Sequence, residues 1–222
     1  MRNINTIMNL GVADYDGLQT DFSYRGSTRW YAAVSYTLSK ATNTTEPDGN
    51  GIGPNDANIA RLAEQERGPS LLDQRHRAVL TFIYHLPLDI SAGMVTQLAS
   101  GRPINATTGV DNNGDGATND RPVIDGRVVG KSAFLGTGTE DVSVFVEGRL
   151  KTRGRTVLLR LEGFNLFNHA NMLGRGNTTY GDTGTALNSF GQFAPMSGTT
   201  AIPAFANIDP PRMFQIQLRF QY

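Results

Sequence analysis

The sharpest chemical signal in the chain is a run of oxygen donors, Asp111-Asn112-Asn113-Gly114-Asp115-Gly116-Ala117-Thr118-Asn119-Asp120. Asp111, Asn113 and Asp115 stand at alternate positions before a glycine. That order copies the opening of a calcium-binding loop, in which spaced oxygens wrap a hard cation and glycine permits the sharp turn. Pro122 stands where such a loop carries its bidentate glutamate, so Asp120 is the expected replacement. The reading is a structural calcium that orders the loop; the alternative is a polar glycine-rich loop holding no metal. The three histidines, His76, His85 and His169, lie far apart and form no ligand set. Neither G-x-S-x-G nor H-E-x-x-H occurs. With no cysteine, a thiol nucleophile or Cys-ligated zinc is also excluded. Glu140 and Asp141 are adjacent acids with nothing in the sequence to place them around a pocket. No enzymatic activity is expected.

Charge and hydropathy narrow the class further. Lys plus Arg balance Asp plus Glu at 20 each, and no basic run stands out, which argues against a nucleic-acid partner. Mean hydropathy is −0.30, and no run of ~18 apolar residues is present, so no membrane helix is expected. Met1 to Leu10 has one arginine and three asparagines but no apolar core, and does not read as a signal peptide. Mildly polar hydropathy is compatible with a membrane β-barrel, because only every second strand residue meets lipid.

The elements that must position any site show themselves by period two. In the last segment Phe214, Ile216, Leu218, Phe220 and Tyr222 share one face, and Gln215, Gln217, Arg219 and Gln221 the other. At about 100° per residue a helix would mix these two sets. Six earlier segments alternate likewise, around Leu18–Tyr24, Trp30–Leu38, Ala78–Leu86, Ile90–Leu98, Val142–Val146 and Val157–Leu161. The expectation is all-β: an antiparallel up-and-down meander of about seven long strands, each near the ~9–11 residues that a tilted membrane strand needs. Tight links at Gly26–Ser27, Pro87 and Gly154 alternate with long ones at roughly Ala41–Leu72, Gly101–Thr139 and Asn168–Asp209. Outer-membrane barrels have this asymmetry, with short periplasmic turns and long extracellular loops. Tyr24, Trp30, Tyr84, Phe214 and Tyr222 near strand ends suit interfacial girdles. A soluble antiparallel sandwich would also alternate and is the competing fold.

Several stretches resemble the C-terminal barrel region of TonB-dependent outer-membrane receptors, of the Oar-like type with a carboxypeptidase-regulatory-like domain. They are Tyr15-Asp16-Gly17-Leu18, Ser35-Tyr36-Thr37-Leu38-Ser39-Lys40, Asp73-Gln74-Arg75-His76-Arg77, Glu162-Gly163-Phe164-Asn165-Leu166-Phe167-Asn168, and the final strand. The resemblance implies uptake of an extracellular ligand across the bacterial outer membrane, driven by the TonB–ExbB–ExbD system. Such transporters have 22 strands around a plug. The resemblance therefore casts residues 1–222 as a partial C-terminal barrel domain, without plug or earlier strands. It also implies that Phe214, Ile216, Leu218, Phe220 and Tyr222 form the signal read by the barrel-assembly machinery. An exposed strand edge offers unpaired backbone there, and alternate side chains give specificity. Arg160, Glu162, Gln215, Gln217 and Arg219 would line a polar lumen. Outer-membrane lipid is the expected surroundings. The alternatives from other classes are a surface binding or adhesion module without transport, and a soluble carbohydrate-binding β-sandwich.

Overall fold

Apolar and aromatic residues recur at alternate positions of seven segments of the chain, and such side chains fit a pleated surface. A computed structural model describes residues 11–26, 28–44, 66–107, 114, 121–152, 154–171, 178–179 and 210–221. Seven long strands carry the fold: β1 (Ala13–Gly26), β2 (Trp30–Asn43), β3 (His76–Leu86), β4 (Ile90–Ala99), β5 (Thr139–Thr152), β6 (Arg155–Phe164) and β7 (Met213–Gln221). They pair in sequence order as one antiparallel meander, and the short strand Gly68–Pro69 extends the upper end of β2. The sheet is open: among the described residues β1 and β7 each have a neighbour on one side only. β1 and β5 begin earlier and end later than alternation alone suggests, and β2 runs on to Asn43, whereas β3, β4 and β7 keep close to the alternating segments. β1, β2 and β5 each reach 14 residues, more than the ~9–11 that span a membrane.

Turn chemistry explains the short links. Pro87-Leu88-Asp89 joins β3 to β4, with Leu88 and Asp89 both left-handed at φ 67° and 55°. Gly154 takes φ 78° in the tight link between β5 and β6, a conformation that glycine adopts without a Cβ penalty.

The long links are less bare than their composition suggests. Pro103–Ile104 pairs with Phe134–Leu135, and Val123–Ile124 pairs with Arg127–Val128. Ala106–Thr107 pairs in parallel with Thr178–Thr179, which ties the second long link to the third. The two ends of the second link press together at Gly101, where a Cβ would lie 1.9 Å from the carbonyl oxygen of Gly136. Only glycine fits there.

Register decides the faces. Cross-strand partners point the same way, so one pairing fixes a row across the sheet. Val34, Leu80, Thr96 and Val142 form one such row, and Ala32, Phe82, Met94 and Val144 the next. Leu159–Leu218 and Leu161–Ile216 continue the same face onto β7. Each segment's apolar set thus falls on a single side. Several strand glycines lie beneath aromatic rings. A Cβ on Gly26 would meet Trp30 at 2.2 Å, and one on Gly93 would meet Phe145 at 2.3 Å. The glycines leave room for a ring lying flat across the neighbouring strand.

Candidate functional site

The exposed face is itself the first functional surface. Phe22, Leu161 and Ile216 are 63, 46 and 71 % exposed. Among the described residues of the seven long strands, every exposed large apolar side chain except Tyr15 and Met213 lies on this side of the sheet. Soluble proteins rarely leave apolar patches of this extent to water. On β3 the band runs from Ala78 to Leu86, roughly 27 Å along the strand at ~3.4 Å per residue. A tilt of about 40° reduces that to roughly 21 Å, close to the ~25 Å apolar band of outer-membrane barrels. At the turn end Tyr24 and Trp30 rings stand 4.9 Å apart, and Trp30 pairs with Tyr84, forming an aromatic border.

The opposite face is polar across β5–β7. Arg160 Nη2 lies 2.7 Å from Glu162 Oε1, and Arg160 Nη1 lies 3.4 Å from Glu147 Oε2. Arg149 donates to Glu147 at 3.0 Å. The Arg160 guanidinium sits 4.1 Å above the Phe145 ring, which in turn covers Gly93. Glycine, ring, guanidinium and carboxylates are thus layered on one wall. Register places Gln217 opposite Arg160 and Gln215 opposite Glu162, with Arg219 opposite Leu158. The five residues expected to line a lumen therefore share one face. Phe145, missed by strand alternation because it is apolar among polar neighbours, is the ring that organises them. Only its register against Gly93 reveals that role.

The loop end is held by side chains that imitate backbone. Asp73 Oδ1 accepts from the Ala41 N–H at 2.7 Å, closing the upper end of β2. This gives Asp73-Gln74-Arg75-His76-Arg77 a structural task. Asn165 and Asn168 are left-handed at φ 47° and 55°. Asn165 Nδ2 donates to the His169 and Pro210 carbonyls, and Asn168 Oδ1 accepts from Arg212 N–H, which delivers the chain into β7. Asn171, fully buried, bonds both the N–H and the carbonyl of Glu140 at 2.8 Å.

Against this geometry the comparison with protein families is decisive. Residues 1–143 match the family described as outer membrane beta barrel domain, which spans β1 to β4 and the start of β5. The chain belongs to the outer membrane beta barrel domain family. Comparison with curated proteins and with solved structures gave no match. As an outer-membrane β-barrel protein, the chain turns its apolar face to lipid and resides in the bacterial outer membrane. Membership of an outer-membrane family sets aside the soluble carbohydrate-binding sandwich.

Of the residues singled out for sites, Phe214, Ile216, Leu218 and Phe220 lie together on the lipid side of β7. Tyr222 lies outside the described residues. So do Asp111, Asn113, Asp115 and Asp120 of the calcium-type loop, where Gly114 alone is described. Among the described residues no three acidic or histidine side chains gather as a metal site.

Proposed function

We propose that this outer-membrane barrel chain is the C-terminal part of an Oar-like TonB-dependent receptor that takes up an extracellular ligand. The single observation that carries the reading is the direction of the two open edges. β1 and β7 are the first and seventh strands of a strictly antiparallel meander, so both run from the loop end to the turn end. They cannot pair antiparallel with one another, nor can copies inserted the same way join antiparallel edge to edge. Antiparallel closure needs an odd number of further strands, which makes the total even, as in bacterial single-chain barrels. A 22-strand receptor supplies such a number. The family resemblance of the Asp73–Arg77 and Glu162–Asn168 stretches supports the same reading, as does their placement at the loop end.

In this reading the layered wall of Phe145, Arg160, Glu147 and Glu162 lines the lumen, facing ligand or plug. The polypeptide performs no covalent chemistry. The assembly machinery reads β7 and its terminal aromatic, while TonB–ExbB–ExbD acts through the plug of the whole receptor. Sequencing the transcript upstream of Met1 tests the proposal. An in-frame signal peptide, plug and TonB box are expected; a promoter directly before Met1 would sink it. The second reading, a surface binding or adhesion module, draws on the ladders that order the long links. Binding of a partner at the cell surface with no uptake in cells that carry an active TonB system would favour it. For Asp111, Asn113, Asp115 and Asp120, calorimetric titration of calcium into the refolded chain should release heat. A flat titration rejects that site.

A further inference from the structure

The apolar face carries a recess at its loop end. A cavity of about 400 Å³ lies between Tyr36 and His76 on one side and Glu140 and His169 on the other, floored by Ala78 and Leu98. This is within the ~300–1,000 Å³ range of ligand cavities. Tyr36, Ala78, Leu98 and Glu140 are one register row across β2 to β5, all on the lipid side. Ala78 is the small member of that row and leaves the floor open. Gly138, at the roof, lies so close to the Ala99 carbonyl that a Cβ would stand 2.7 Å from its oxygen.

The walls are fixed before any ligand arrives. The Tyr36 hydroxyl and His76 Nδ1 are 2.8 Å apart, and the two rings stack at 6.3 Å. His169 Nδ1 lies 2.8 Å from Oδ1 of the buried Asn171, which also grips the Glu140 backbone. Below the floor, Leu80 and Phe82 lead down the apolar band in the next two rows. Polar groups thus crown an apolar track at the height where a lipid's head meets its tails.

We propose that this recess seats the sugar headgroup of an outer-leaflet glycolipid, with an acyl chain lying along Leu80 and Phe82. The chemistry selects a sugar. Stacked aromatic rings offer a flat face to the C–H side of a pyranose, and imidazole nitrogens with neighbouring hydroxyls exchange hydrogen bonds with ring hydroxyls. The Glu140 carboxylate accepts from hydroxyl groups and repels a phosphate placed beside it. A phosphodiester headgroup is therefore the poorer occupant. The inference rests on the outer-membrane placement of the apolar face and is independent of TonB-driven transport.

The test uses the full chain refolded into detergent micelles, mixed with a phosphate-free glycolipid (monogalactosyldiacylglycerol) or with phosphatidylglycerol, which differ only in the headgroup, and read by native mass spectrometry. The glycolipid adduct is expected to be held about tenfold more tightly than the phospholipid, a difference of ~1.4 kcal/mol. Ala78→Trp fills the floor with a side chain that membrane interfaces accept, and should erase the preference. Leu150→Trp, on the same face at the opposite end of β5, should keep it. Glu140→Gln leaves the backbone bonds to Asn171 in place, removes the repulsion of a phosphate, and should narrow the preference by strengthening the phospholipid adduct. Equal retention of both lipids, or an unchanged preference in Ala78→Trp and Glu140→Gln, overturns the proposal. If Ala78→Trp loses its β circular dichroism, Glu140→Gln and His169→Ala decide the matter. Failure of the unmodified chain to insert into vesicles would instead refute the membrane placement itself, and is seen before any lipid is compared.

Discussion

Asp89 sits in the turn between β3 and β4, with its carboxylate 2.7 Å from Lys151 Nζ on β5. The hydrogen bond from Lys151 and the charge behind it hold the Asp89 carboxyl below the usual carboxylate range, with Arg149 adding to the effect. A depressed folded-state value means that the pair's contribution is present above the unfolded value and lost as pH falls through the folded one. Carbon NMR of Asp89 should therefore show a midpoint below the ordinary range, and Lys151→Ala should raise it. An unchanged midpoint would show that the pair does not form in solution. Asn171 is a second residue with a measurable task. Asn171→Ala strands the Glu140 N–H and carbonyl and should cost about 1–3 kcal/mol in urea unfolding from micelles. A neutral result would mean that water replaces the amide.

At the scale of elements, the two faces of β3 to β6 make opposite demands. Met94 lies on the lipid side, paired with Phe82, while Thr81 lies at similar height on the polar side. Met94→Arg should cost about 2–4 kcal/mol in unfolding from lipid vesicles, as a charge near the bilayer midplane does. Thr81→Arg should cost no more than about 1 kcal/mol. Equal costs would show that the faces are assigned the wrong way round. The Gly93–Phe145 contact is the other sensitive point. Gly93→Val drives a branched side chain into the ring that supports Arg160, and overpacking of that kind costs typically ~1–3 kcal/mol. If stability survives, the ring has moved off the glycine, and the Arg160 stack with it.

At the scale of the whole molecule, the described residues form one long sheet whose two outer strands have no further neighbour among them, and such an edge invites pairing. Expressed in the cytoplasm, the chain should collect in inclusion bodies; recovery of an ordered monomer without detergent would contradict the membrane fold. The parity of the strands adds a sharper test. Thr20→Cys on β1 combined with Leu218→Cys on β7 should give no cross-link, within or between chains, after insertion into vesicles. A ladder of oxidised species would mean that the edges meet in parallel, and the argument for an odd number of further strands would fail.

Much of this was legible before any fold was known. Alternation in segments such as Phe214–Phe220 reports strands and their two faces directly, because side chains of a strand point alternately to opposite sides. Tight links separated by long ones likewise marked which end of the sheet carries turns and which carries loops. What stayed hidden depends on contacts between residues distant in sequence. The ring of Phe145 is an unremarkable apolar residue until β4 places Gly93 beneath it. His76, Glu140 and His169 form no set by spacing, yet the meander and the Asn171 clamp bring them around one recess. The residue types capable of chemistry were thus set locally by the sequence, whereas register across seven strands decided which of them meet. Backbone pairing carries that information, and it is written in no single stretch of chain.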